Sequence, residues 1–138
     1  MNGMDAYVGV GLLVEDIEKM VLFYRDIMEF ETDWESGLFA EFKTKSGSLS
    51  LFMYDRKAFA SAVGESYYPP KGINLTMEIG IWLPGFSDVD REYERLTALG
   101  IKSFTGIPVT FPFGIRNFYV ADPEGNLLEI GSNGKEDR

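Results

Sequence analysis

Two glutamates, Glu78 and Glu129, and the aromatic residues that alternate around them are the side chains of this sequence best suited to chemistry. Thr76, Glu78, Gly80 and Trp82 fall on one face of an alternating run whose other face is Leu75, Met77, Ile79 and Ile81. A carboxylate beside an aromatic ring suits a cationic or polar ligand. Once buried, it also acquires the raised pKa that proton abstraction requires. Phe52 and Tyr54 alternate in the same way with Leu49, Leu51 and Met53. The expected small-molecule site therefore joins Phe52, Tyr54 and Trp82 to the polar groups Ser50, Thr76, Glu78, Arg116, Tyr119 and Glu129, as apolar pockets with a few placed polar groups do. Blander readings stand beside this one. Glu129 can be a rim residue paired to Arg116 or hydrogen-bonded to Tyr119, Glu78 a solvated carboxylate, and the rings an interface between subunits or between halves of the chain.

Other chemistries are ruled out by what the 138 residues lack. There is no cysteine and no histidine. Thiolate catalysis, iron–sulfur clusters and the nitrogen and sulfur ligands that zinc, nickel and iron prefer are all absent. A net charge of −9 repels phosphate backbones and anionic lipid headgroups, so neither nucleic acid nor membrane is an expected partner. The segment from Met1 to Tyr7 has no basic stretch leading into an apolar run, and nothing approaches the roughly 20 apolar residues of a membrane span. The expected location is the cytoplasm.

The elements that must position these residues repeat. Tyr7 to Val14 alternates as a strand, with Val8, Val10, Leu12 and Val14 on one face and the other bare at Gly9 and Gly11, which marks a close approach to the backbone. Asp16 is an N-cap for an amphipathic helix carrying Ile17, Met20, Val21, Tyr24, Ile27 and Met28. Strands are expected over Phe30–Glu35, Leu38–Lys45 and Ser48–Tyr54, broken by Ser-Gly turn signals. Residues 55–72 hold Gly64 and Pro69-Pro70 and read as a linker, with a short helix over Lys57–Val63. The pattern then restarts: a strand through Leu75–Trp82, a Ser87/Asp90 capping box, a helix with Val89, Tyr93, Leu96 and Leu99 on one stripe, and Gly100 at its end. Strands follow at Ile101–Phe104 and near Val109–Phe111, then a hairpin over Ile115–Ile130 turned by Asp122-Pro123-Glu124-Gly125. The chain is expected to be one α+β domain: two tandem β-α-β-β-β modules, about 5–55 and 73–132 around a linker of about 56–72, forming a curved mixed sheet around a cavity. Tyr67-Tyr68 and Phe111-Pro112-Phe113-Gly114 read as aromatic loops able to cover its mouth.

Three phrases carry a family resemblance: Phe118-Tyr119-Val120-Ala121-Asp122-Pro123-Glu124-Gly125-Asn126-Leu127-Leu128-Glu129-Ile130, Val14-Glu15-Asp16-Ile17 with Phe23-Tyr24, and Asp90–Leu96 ahead of Leu99-Gly100-Ile101. Together they resemble the vicinal-oxygen-chelate superfamily of glyoxalase I, bleomycin-resistance proteins and extradiol dioxygenases. The resemblance implies metal-ligand positions near Gly9, Ser50, Asn74 or Thr76, and Glu129, of which only Glu129 is a convincing ligand. A metal-free protein without cofactor is therefore expected. Open, curved sheets with apolar edges and aromatic loops lead to an expected two-fold homodimer. Three functions stand side by side: sequestering an aromatic or cationic compound, a lyase or isomerase reaction with Glu129 or Glu78 as base, or a regulatory or structural module without a small ligand.

Overall fold

A computed structural model of the chain describes residues 3–6, 9–47 and 50–137. The expected strand residues Tyr7, Val8, Ser48 and Leu49 lie outside them. The chain divides into two compact units, Met1–Pro70 and Lys71–Arg138.

In the first unit β1 (Gly9–Val14) leads into α1 (Ile17–Leu22), which continues as a π-helical turn over Phe23–Ile27. Then come β2 (Phe39–Phe42), β3 (Ser50–Asp55) and α2 (Arg56–Val63). The sheet order is β1-β3-β2, with β1 parallel and β2 antiparallel to β3. Asp16 caps α1 by accepting the Lys19 N–H at 3.1 Å. The apolar stripe of this helix buries Met20, Val21, Phe23, Tyr24 and Met28, and the sheet contributes Leu12, Val14, Ala40, Phe42, Leu51 and Met53 to the core. Tyr24 is fully buried, its ring in contact with those of Phe23, Phe30 and Phe42. The expected strand over Phe30–Glu35 is reduced to one bridge, Glu31 to Lys43. Thr32 Oγ1 accepts the Trp34 N–H and the Trp34 indole N–H donates to the Gly37 carbonyl, both at 3.2 Å. These local bonds close a turn where a ladder would otherwise run.

In the second unit β4 (Asn74–Trp82), α3 (Phe86–Ala98), β5 (Val109–Thr110), β6 (Arg116–Ala121) and β7 (Asn126–Ser132) form a sheet of order β4-β7-β6-β5 under α3. Only the β4–β7 pair is parallel. Val89 and Leu96 of α3 are buried with Phe118, Val120, Leu128 and Ile130, and Tyr93 meets Phe118 edge-on at 5.4 Å. Both sheets are mixed and neither closes on itself, so the α+β class and the repeated strand–helix–strands order stand.

Three details differ from the sequence expectation. Leu75 and Met77, expected on one apolar strand face with Ile79 and Ile81, are 79% and 45% exposed. Asn74 pairs with Asn126 but Glu78 already pairs with Leu127, so four steps along β4 match one along β7. The Thr76 N–H turns back to Asn74 Oδ1 at 3.0 Å, and regular alternation resumes only at Glu78, with Ile79 buried. The segment Ile101–Phe104 forms no strand; Phe104 makes a single backbone bond, to the Tyr119 carbonyl at 3.2 Å. Finally, α3 begins before Ser87: Asp88 accepts the Gly85 N–H at 2.9 Å, and Asp137, in a 3₁₀ turn over Lys135–Asp137, accepts the Phe86 N–H at 2.8 Å. Among the described residues no helix is long and apolar enough to cross a membrane.

Candidate functional site

The second sheet is covered by α3 on one face, and the pleat sends every other residue to the opposite face. Glu78, Gly80 and Trp82 of β4 pair with Leu127, Glu129 and Gly131 of β7. Tyr119 and Asn117 of β6 pair with Glu129 and Gly131 from the other side. The register therefore gathers Glu78, Trp82, Asn117, Tyr119 and Glu129 on one face. Glycine at 80 and 131 leaves room for the indole: an added Cβ would stand 2.8 Å from Trp82 Nε1 at Gly80 and 3.3 Å from Trp82 Cζ3 at Gly131. The Trp82 ring thus lies across β4 and β7.

Glu129 is buried and its carboxylate accepts a hydrogen bond from Asn117 Nδ2 at 2.8 Å. The Glu78 carboxyl reaches Glu129, and this hydrogen bond, with burial and the neighbouring negative charge behind it, holds the Glu78 pKa above the usual carboxylate range. A hydrogen bond from Tyr119 acts on Glu78 in the opposite direction. The Tyr119 phenol is itself pushed up, first by burial and then by the charges of Glu129 and Glu78. The arrangement is a carboxyl–carboxylate pair that keeps a proton to higher pH than an isolated glutamate, beside a phenol and on the face that also carries the indole.

Asn117 was missed in the sequence, although it stands two residues from Tyr119 on the same strand and shares its face. Arg116 is a correction. It alternates with Asn117, so it faces α3, where its guanidinium binds Asp90 Oδ1 through Nη2 at 2.7 Å and Nε at 3.1 Å, and donates from Nη1 to Thr110 Oγ1 at 2.9 Å. It therefore does not neutralise Glu129. Thr76 lies in the irregular stretch of β4, outside the paired register that holds the carboxylates.

Ser50, Phe52 and Tyr54 belong to the first unit, on the face of β3 shared with Gly9, Gly11 and Leu13 of β1. The bare stripe at Gly11 is filled from within: an added Cβ there would overlap the Phe52 ring, which also stacks on Phe39 at 5.8 Å. Tyr54 meets Phe59 of α2 edge-on at 6.4 Å. Of the two aromatic loops, Tyr67 is tied by its hydroxyl to the Glu15 carboxylate, and Phe111 stacks on the exposed Phe113 at 5.3 Å.

The metal-ligand positions implied by the resemblance do not fit a transition metal. Gly9 offers no side-chain donor, the Asn74 amide oxygen accepts the Thr76 N–H, and Glu129 is engaged by Asn117 and Glu78. Among the described residues no three His, Cys, Asp or Glu side chains are gathered as a ligand set.

The sequence profile described as Glyoxalase/Bleomycin resistance protein/Dioxygenase superfamily matches residues 6–130. An uncharacterized protein of Bacillus subtilis (strain 168), YraH, is 25% identical over 124 residues, covering 88% of this chain and 93% of its own. Among solved structures, a glyoxalase/bleomycin resistance protein/dioxygenase from Nocardioides aligns with TM-score 0.78 at 23% identity, covering 95% of this chain and 85% of its own. A lactoylglutathione lyase from Agrobacterium tumefaciens aligns with TM-score 0.72 at 22% identity, covering 95% and 96%. At these identities the likeness to solved structures is one of fold.

Proposed function

Since the chain belongs to the Glyoxalase/Bleomycin resistance protein/Dioxygenase superfamily, we propose that the face of its second sheet opposite α3 sequesters a small cationic aromatic molecule, without turnover, in a metal-free cytoplasmic homodimer. The observation that carries this reading is the Glu78–Glu129 pair beside Trp82. A cation placed over the indole gains cation–π attraction and stands against two carboxylates that are one proton short of full charge. Binding then expels that proton, because the cation replaces what the proton neutralises.

The test is calorimetry with benzyltrimethylammonium in two buffers of different ionisation enthalpy. Affinity should rise with pH through the Glu78 titration, with proton release on the acid side. Trp82→Ala should weaken binding by ~1–3 kcal/mol. An affinity flat with pH and indifferent to Trp82 would overturn the reading.

A second reading is favoured by the same proton: Glu78 and Glu129 as acid and base moving a proton alpha to a carbonyl, as in a lyase or isomerase. The solved lactoylglutathione lyase shares the fold. This reading expects metal-free protein to isomerise the methylglyoxal–glutathione adduct, with loss of rate in Glu129→Gln; no turnover of that adduct would count against it.

A further inference from the structure

The first unit holds a separate cavity of about 170 Å³. It is lined by Leu13 from β1, by Arg56, Phe59 and Ala60 from α2, and by Tyr67 and Tyr68 from the segment after that helix. The helix is fixed at both ends: Asp55 accepts the Ala58 N–H at 2.8 Å, and Gly64 closes it in the left-handed conformation with φ 73°. The following segment is also anchored. The Tyr67 hydroxyl donates to Glu15, and Lys57 Nζ stands 5.2 Å from the centre of the Tyr67 ring. The cavity is therefore built between held elements.

Its lining is mostly apolar and aromatic, with Arg56, Glu65 and Ser66 as the charged and polar members. Leu13, Phe59, Ala60 and the two tyrosine rings supply hydrocarbon and aromatic surface, and the space is comparable with the ~150 Å³ that accommodates a benzene ring. Arg56 is half-buried, and its guanidinium makes one long hydrogen bond, Nη1 to the Leu13 carbonyl at 3.4 Å. No described carboxylate forms an ion pair with it. The guanidinium fork thus keeps donors free for a planar carboxylate. Lys57 adds a second positive charge close by, on the Tyr67 ring. Glu65 also lines the cavity and opposes an anion there, but it is exposed to solvent and screened, and it stands against the two cations Arg56 and Lys57.

We propose that this cavity is a binding site for a small apolar monocarboxylate of about the size of benzoate, its ring against Phe59 and the tyrosines and its carboxylate on Arg56. The site lies in the first unit and does not rest on the reading of Glu78 and Glu129.

The experiment is fluorine-detected NMR titration of the whole protein with 4-fluorobenzoate, beside 4-fluorobenzyl alcohol as the neutral counterpart. The carboxylate should bind best. Arg56→Met should weaken it by about tenfold while leaving the alcohol nearly unchanged, which corresponds to about 1.4 kcal/mol. Tyr68→Ala, at a residue whose side chain is 70% exposed and so not needed for folding, should weaken both acid and alcohol severalfold. Alcohol binding as tight as acid binding, carboxylate affinity unmoved by Arg56→Met, or no carboxylate binding at millimolar concentration would each overturn the proposal.

Discussion

Glu78 and Glu129 illustrate how a pair of like side chains sets its own protonation. The hydrogen bond to Glu129 favours the protonated Glu78, so the folded state holds that proton more tightly than the unfolded chain does. Below the unfolded pKa both states are protonated and nothing is lost. As pH rises through the raised folded pKa, the carboxyl ionises beside Glu129 and stability falls. Glu78→Gln removes this cost, so the variant should gain on wild type as pH rises from about 4 to about 7. Glu78 is exposed and water screens it, so the gain should stay below about 1 kcal/mol. Urea unfolding at a series of pH values measures it; a gain largest at acid pH would reverse the assignment. These two glutamates were legible in the sequence, because period-two alternation alone places each on a sheet face. Arg116 was not, because a one-residue difference in parity moves it to α3 and Asp90, and charge complementarity with Glu129 gave no warning of that.

At the scale of elements, the closing hairpin shows what turn chemistry secures. Asp122 takes three hydrogen bonds in the turn, from the Glu124 and Asn126 N–H groups and from Asn126 Nδ2, at 2.9–3.0 Å. Gly125 adopts φ 88°, and an added Cβ would overlap the Gly72 carbonyl oxygen, while the Gly125 carbonyl accepts the Asn74 N–H at 2.7 Å. Backbone meets backbone there, so no side chain can yield. Gly125→Ala should destabilise the protein by roughly 2–4 kcal/mol, more than the ~1 kcal/mol of an αL penalty alone. Thermal unfolding by calorimetry measures this. A loss no larger than that of Gly106→Ala, also at positive φ but in open space, would mean the Gly72 contact is soft. This turn was readable from Asp-Pro-Glu-Gly, as were the Asp16 cap and the Gly100 stop. The end of the first helix was not: Glu29 takes φ 64° without a glycine, after a π turn that no periodicity announces. Nor were the bulge in β4 and the Thr32–Trp34 turn, where short polar side chains bond locally and override an alternating pattern.

The whole chain carries a net charge of −9, yet β4 leaves an edge on which Ile73, Leu75 and Met77 are exposed. An edge strand with apolar side chains and unpaired backbone groups invites a second copy, and like-for-like pairing about a two-fold axis satisfies both partners at once. We expect a homodimer at micromolar concentration by multi-angle light scattering, and a monomer for Leu75→Lys with Met77→Lys; a wild-type monomer would count against the expectation.

The indole that lies across Gly80 and Gly131 has an optical consequence. The chain has two tryptophans, Trp34 in the first unit and Trp82 in the second, so each unit contains its own fluorophore. Trp34 donates its N–H to the Gly37 carbonyl and stands among loop residues, whereas Trp82 shares its face with a carboxyl group that gains and loses a proton. With Trp34 replaced by phenylalanine, the remaining emission should change in intensity and wavelength as Glu78 titrates and as a cationic ligand is added. With Trp82 replaced instead, the response that follows the Glu78 titration through the indole on its own face should be lost.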